Sequence, residues 1–153
     1  MNDNRMKAPI ERAELEQLVP HKGSMFLLER FLSWDTSAGS FTAEALSGPA
    51  CPFYDELAHG VPVWVAFEYM AQGIAALSGL KRNESGGKPK IGFVMGLRDF
   101  KAEAPLFPEG SRVLIEAHEL MRDGNVVSFS CVAECDGKKA TATVNAIETD
   151  RDP

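Results

Sequence analysis

The sequence predicts an α+β domain: an antiparallel sheet of about six strands, curled around one long buried helix. Three observations carry this. Residues 61–80 form a run of twenty with one charge, Glu68, which is the composition of a helix covered on most sides. Two apolar runs precede it and four alternating runs follow it, each of strand length. Short turn sequences separate the strands on each side, and strands joined that way pair antiparallel.

In order, residues 1–10 are polar and read as a tail, and 11–18 (ERAELEQL) read as a short helix ended by Pro20. Residues 25–34 are an apolar run with strand-like ends. Residues 39–46 place Phe41, Ala43 and Ala45 on one side of a second strand, with a hairpin through 35–39. Residues 47–61 hold Gly48, Pro49, Pro52 and Gly60, an irregular loop longer than most connections and of the kind that carries function. Pro62 suits the first turn of the helix. The helix is expected to end at Lys81, Arg82 and Asn83, where basic side chains meet its negative end. After a Gly- and Pro-containing link at 84–90, strands are expected at 91–104, 111–121, 126–135 and 139–148. Turns are expected at 105–110, 122–125 and 136–137, the last an Asp-Gly hairpin signal. Such a sheet has edge strands, so self-association is expected.

The chain has 153 residues, enough for one domain, taken as 11–150. It is 44% hydrophobic and 25% charged, which supports a core. Sixteen Lys and Arg against 22 Asp and Glu give a net charge of −6, which disfavours nucleic acid as a partner. Cys51, Cys131 and Cys135 show neither zinc-ligand spacing nor a disulfide framework, and His21, His59 and His118 stand far apart, so no metal site is expected. The first twelve residues lack the apolar core of a signal peptide, which points to the cytoplasm. A run of twenty apolar residues is long enough to span a bilayer, but an isolated carboxylate within it is costly there, so no membrane span is expected.

Glu68 is the most informative residue. It lies early in the apolar helix between Phe67 and Tyr69, and buried ionisable groups cluster at functional sites. Gln72, at i+4, shares its face and is a candidate to hold the carboxylate or bind substrate; satisfying backbone groups is its structural alternative. His21, after Pro20, and His59, beside Gly60, are both candidates for a base near neutral pH. His118 alternates with apolar neighbours and reads as a sheet-surface residue. Lys81, Arg82, Lys88, Lys90, Arg98 and Lys101 stand against only Glu84 and Asp99, a basic stretch in an acidic chain and a candidate landing surface for an acidic partner.

The motifs resemble a known family. Leu18-Val-Pro-His-Lys-Gly-Ser-Met-Phe-Leu-Leu-Glu-Arg30 is similar to the Pro-His-Arg…Leu-Leu-Val-Asp-Arg opening of β-hydroxyacyl-acyl-carrier-protein dehydratases. Val61-Pro-Val-Trp-Val-Ala-Phe-Glu-Tyr-Met-Ala-Gln72 resembles their Pro-Gly-Val…Glu-Ala-Met-Ala-Gln helix, and Phe107-Pro-Glu-Gly110 their Pro-Gly-Asp turn. The resemblance spans about residues 14–147, and the Glu-Tyr-Met-Ala-Gln variant looks most like the subgroup associated with aryl-polyene pigment biosynthesis. It implies a hotdog fold, a dimer with sites shared between protomers, and elimination of water from a 3-hydroxyacyl thioester on an acyl carrier protein, without a cofactor. A histidine takes the α-proton, the helix carboxyl serves the leaving hydroxyl, and a backbone N–H at the helix start polarises the thioester.

Carried over, Glu68 takes the acid role, Gln72 the supporting amide, and Val63 the position of the helix-start Gly. The family's histidine lies fourteen residues before the helix carboxylate, and here that position is Tyr54, which makes Tyr54 a candidate substrate contact. His21 and His59 remain as candidate bases, with a chain lacking any base as the third reading. The alternatives are therefore a dehydratase acting alone or as a heterodimer, a non-catalytic or weakly active partner subunit, and a thioesterase of the same fold. Arg82, Lys88 and Lys90 are the expected carrier-protein contacts.

Overall fold

The computed structural model describes residues 9–19, 22–86 and 91–149. In chain order the elements are β1 (Ile10–Glu11), α1 (Arg12–Leu15), β2 (Leu28–Asp35), β3 (Ser40–Leu46), β4 (Gly60–Pro62), α2 (Ala66–Ser85), β5 (Ile91–Ala102), β6 (Leu106–Pro108), β7 (Arg112–Asp123), β8 (Val126–Cys135) and β9 (Lys138–Thr149). Single 3-10 turns occupy Glu16–Leu18, Gly23–Met25 and Val63–Val65.

Period-two patterning builds the sheet. Strand β8 buries every second residue, from Val127 through Phe129, Cys131 and Ala133 to Cys135, and turns the others outward. It pairs antiparallel with β7 and β9. The Asp136-Gly137 link between β8 and β9 has both residues in the left-handed region, φ 52° and 79°, as a two-residue hairpin requires. The sheet has seven strands in the order β1-β2-β3-β7-β8-β9-β5. Six are the expected strands. The seventh, β1, joins the last residue of the expected tail to the first of the expected helix: Ile10 and Glu11 pair with Phe31 and Arg30, and Glu11 also meets the Arg30 guanidinium at 3.1 Å. Cross-strand pairing takes the start of the predicted helix and leaves one α-turn.

Helix α2 packs inside the curl. Between Ala66 and Leu77 only Phe67, Glu68 and Ala75 are not fully buried, which accounts for the apolar composition. The segment Val63–Glu84 is long and apolar enough to cross a membrane, but 61% of its apolar window is buried inside the protein, as for a core helix. Gly73 lets the helix sit this close: a Cβ there would lie 2.3 Å from the Phe41 ring, which is itself stacked on Phe31 at 5.0 Å. The helix runs past the expected stop at 81–83 to Ser85. Gly86, at φ 70°, ends it with left-handed geometry that suits glycine, and this outweighs the basic residues as a stop signal.

The segments expected to be a loop and a turn contain a second, two-stranded sheet. Strand β4 pairs with β6 through Gly60↔Pro108, Val61↔Phe107 and Pro62↔Leu106. Glycine is required at position 60, since a Cβ would come within 2.6 Å of the Phe107 carbonyl oxygen.

Candidate active site

The residues before α2 are held by a segment some fifty residues downstream. Within 47–60, the Cys51 N–H donates to Gly48 and the Tyr54 N–H to Cys51, making two successive turns. Asp55 and Gly60 then pair backbone to backbone, closing a tight hairpin, and the Asp55 carboxylate accepts from the N–H groups of Leu57 and Ala58. The rest of the fastening comes from 105–111. The buried Ser47 hydroxyl donates to the Pro108 carbonyl, the Glu109 N–H donates to His59 O at 2.9 Å, and the Tyr54 hydroxyl donates to the Glu109 carboxylate. The helix is thus entered from an ordered strand, and the loop is built rather than loose.

Glu68 lies in the first turn of α2, where a carboxylate meets the positive end of the helix. It is half-buried rather than sealed in the core, and among the described residues nothing donates to its carboxylate. One turn earlier stands Trp64, 53% exposed and edge-on to Phe53 at 5.2 Å. Phe67, beside Glu68 in sequence, is half-buried, and Leu57 at the hairpin tip is 95% exposed.

Gln72 is fully buried, and its amide is committed to backbone. Oε1 accepts from the Leu27 N–H at 2.8 Å and Nε2 donates to Met25 O at 2.8 Å. This corrects the substrate-binding expectation in favour of its alternative: the group is enclosed and spent on holding the segment that leads into β2. Arg12 fastens the same segment from the other side, donating to the carbonyls of Gly23, Phe26 and Leu28 at 3.2, 2.5 and 3.1 Å. Sequence reasoning missed Arg12, because carbonyls converge on a guanidinium only through the fold.

Three further expectations change. The Val63 N–H donates to Pro105 O at 3.0 Å, so it is not the free amide at the helix start. The Tyr54 hydroxyl is occupied by Glu109, a bond that pushes its pKa up to about 12 because the neutral phenol is the donor, so it is not a free substrate contact. Arg82 is only 8% exposed, so its charge does not belong to a docking surface; Lys81, Arg98 and Lys101 are the exposed cations of that stretch among the described residues. Lys88, Lys90 and His21 lie outside the described residues. His59 is exposed at the hairpin with φ 56°, its carbonyl held by Glu109, and the chain runs from it through β4 straight into the helix start. Among the described residues no cluster of His, Cys, Asp and Glu is able to hold a metal ion.

Known proteins resemble this chain in sequence and fold. The 3-hydroxyacyl-[acyl-carrier-protein] dehydratase FabZ of Brucella ovis is 29% identical over 95% of this chain and 94% of its own length. One chain of the dehydratase heterocomplex ApeI:P from Xenorhabdus doucetiae superposes with a TM-score of 0.77 at 27% identity, covering 88% of this chain and 90% of that one. Thioesterase superfamily member 2 from Mus musculus, at 13% identity and a TM-score of 0.54 over 77% of this chain and 79% of that one, shares the hotdog fold alone. The profile of ApeP-like proteins (ApeP dehydratase) matches residues 13–153, nearly the whole domain. That match decides between the dehydratase and thioesterase readings: the chain belongs to the ApeP-like family of hotdog dehydratases and is a hydro-lyase.

Proposed function

We propose that this chain dehydrates 3-hydroxyacyl thioesters carried by an acyl carrier protein, as the Glu68-bearing half of a dimer with a second hotdog subunit in the cytoplasm, in aryl-polyene or a related acyl-chain biosynthesis. A base removes the proton on C2, the C2–C3 double bond forms, the C3–O bond breaks, and Glu68 protonates the departing hydroxyl, giving a 2-enoyl thioester and water. A backbone N–H of the first helical turn after Val63 is the amide for the thioester oxygen.

The observation that carries this reading is the half-buried Glu68 carboxylate in the first turn of the apolar helix, to which nothing donates among the described residues. A catalytic carboxyl needs a base opposite it and a cover that excludes water, and a second subunit on this face supplies both. Tyr54, tied to Glu109 in the base position, favours a partner that contributes the histidine. The dehydratase heterocomplex ApeI:P of Xenorhabdus doucetiae supports the same arrangement. The edge of β5, whose one neighbour in the sheet among the described residues is β9, is the seam for joining the two sheets. The exposed Lys81, Arg98 and Lys101, with Lys88 and Lys90 beside them in sequence, would receive the acidic carrier.

A second reading is favoured by His59, the exposed imidazole on a hairpin leading into the helix start. There a homodimer supplies its own base from His59, or from His21. The test is dehydration of 3-hydroxyacyl carrier protein, followed by mass, with the chain alone and mixed with a hotdog partner. Turnover only in the mixture, lost at least 100-fold in Glu68→Ala and kept in His59→Ala, is the expected result. Unchanged turnover in Glu68→Ala defeats the assignment. Turnover by the chain alone, abolished in His59→Ala or His21→Ala, selects the second reading.

A further inference from the structure

Glu68 shares a face of α2 with Ala71, Ala75 and Ser78, at i+3, i+7 and i+10. Toward the C-terminal half of the helix this face stays partly open, with Ala75 and Ser78 only half-buried. An apolar cavity lies there, lined by Ala71, Ile74 and Ala75 from the helix and by Val127 and Ala146 from the buried sides of β8 and β9. Its free volume is about 30 Å³, room for roughly two water-sized groups. A polar bridge borders it. Arg122 Nη1 meets Glu148 at 2.5 Å and Nη2 meets Glu119 at 3.1 Å, while the Ser78 hydroxyl donates to the other Glu148 oxygen at 3.2 Å. All four residues line the cavity. Ser78 ties the bridge to the helix ten residues beyond Glu68, about 15 Å along the axis at the α-helical rise. Between carboxylate and bridge the shared face carries two methyl side chains, Ala71 and Ala75. The cations on the cavity wall, Arg122 and Lys81, are matched by Glu119 and Glu148, so the wall suits an uncharged ligand.

We propose that the acyl chain of the thioester runs from Glu68 along this face, and that Ala75 and the Arg122 bridge set the longest chain the site accepts. The acyl identity of the ligand rests on the dehydratase reading; the cavity, the small side chains leading to it and its polar end do not. Ala75 acts by what it leaves open, since a larger side chain there would fill a cavity of this size. The bridge acts as a stop, because an apolar chain tip that reaches it must separate ionised groups from their partners. Both determine specificity without touching the reacting atoms.

The probes are acyl carrier proteins loaded with saturated chains of even length, hexanoyl to hexadecanoyl, which bind but cannot be dehydrated. Affinity is measured by calorimetry on the full chain, alone and mixed with a hotdog partner, and docking of the carrier cancels in the ratio between lengths. For wild type each added carbon pair is expected to tighten binding roughly 10-fold until the tip reaches the bridge, and no further. Ala75→Leu is expected to end the gain at a shorter chain, lowering the hexadecanoyl-to-hexanoyl affinity ratio at least about 10-fold. Arg122→Ala, at a partly exposed position, is expected to raise the same ratio about 3- to 10-fold. The proposal is overturned if wild-type affinity is independent of length, if neither variant moves the ratio, or if Ala75→Leu weakens every length equally. Should Ala75→Leu fail to fold, Arg122→Ala decides alone, and a ratio equal to that of wild type overturns the proposal. Dehydration of 3-hydroxyacyl substrates with one length preference in wild type and both variants would remove this inference and leave the proposed function standing. Length-dependent binding that moves with both variants, without dehydration alone or with a partner, would do the reverse.

Discussion

The β7–β9 meander and the segment 47–62 are both ordered, but by different means. In the meander each strand pairs with its neighbour in sequence, and alternation decides which side chains go inward. Beyond its local turns, 47–63 is held by bonds that run to 105–111: Ser47 to Pro108, Tyr54 to Glu109, His59 to Glu109 and Val63 to Pro105. The first region carries much of the core, and the second carries the approach to Glu68. Stability and function are therefore supported by different interactions, and substitutions should separate them.

The largest effect is expected in the meander. Phe129 is 5% exposed in the middle of β8, and Phe129→Ala should cost about 3–5 kcal/mol, seen as a lower denaturant midpoint. A smaller loss would mean that the cavity collapses and that this core is softer than its pattern implies. Next is Gly60→Ala. The new Cβ would strike the Phe107 carbonyl, so β4 and β6 must separate; about 1–3 kcal/mol is expected, with a turnover loss out of proportion to the stability loss because β4 leads into the helix carrying Glu68. If turnover and stability fall in parallel, the two regions are not separable.

The smallest effect on stability is expected for Glu109→Gln. It removes the carboxylate that accepts from Tyr54, so the Tyr54 pKa should fall from about 12 toward the ordinary 10. The chain has two tyrosines, and burial raises Tyr69 further, so alkaline absorbance titration of the folded protein reads Tyr54 first. The sign for wild type follows. Because the folded pKa is raised, the contribution of this bond to stability is full below pH 10 and is lost as pH rises through about 12. An unshifted titration in Glu109→Gln would mean that the bond does not hold the loop in solution.

Much of the architecture was legible because it depends on local pattern. The run around Glu68 announced a covered helix, alternation in 126–135 announced β8, and Asp136-Gly137 announced its hairpin. The failures share a cause. Strands β1 and β4 are two and three residues long, too short for periodicity, and exist only because Phe31 and Phe107 come alongside. In the site, Glu68 could be singled out because one charge in an apolar run is a local anomaly. The commitment of the Val63 amide to Pro105, of the Gln72 amide to Met25 and Leu27, and of the Tyr54 hydroxyl to Glu109 could not, because each partner lies more than forty residues away. Arg82 reads as a surface cation in a basic stretch until the helix is placed in the sheet.

By itself, then, the amino-acid sequence determined the α+β class, the buried helix, the long strands, the resemblance to the dehydratases and the prominence of Glu68. These follow from hydrophobic period, turn chemistry and motif, which act between near neighbours in the chain. Only the tertiary structure decided which polar groups are already spent and which are free. A donor's availability depends on the acceptor nearest in space, and the curl of the sheet brings those acceptors from distant parts of the chain.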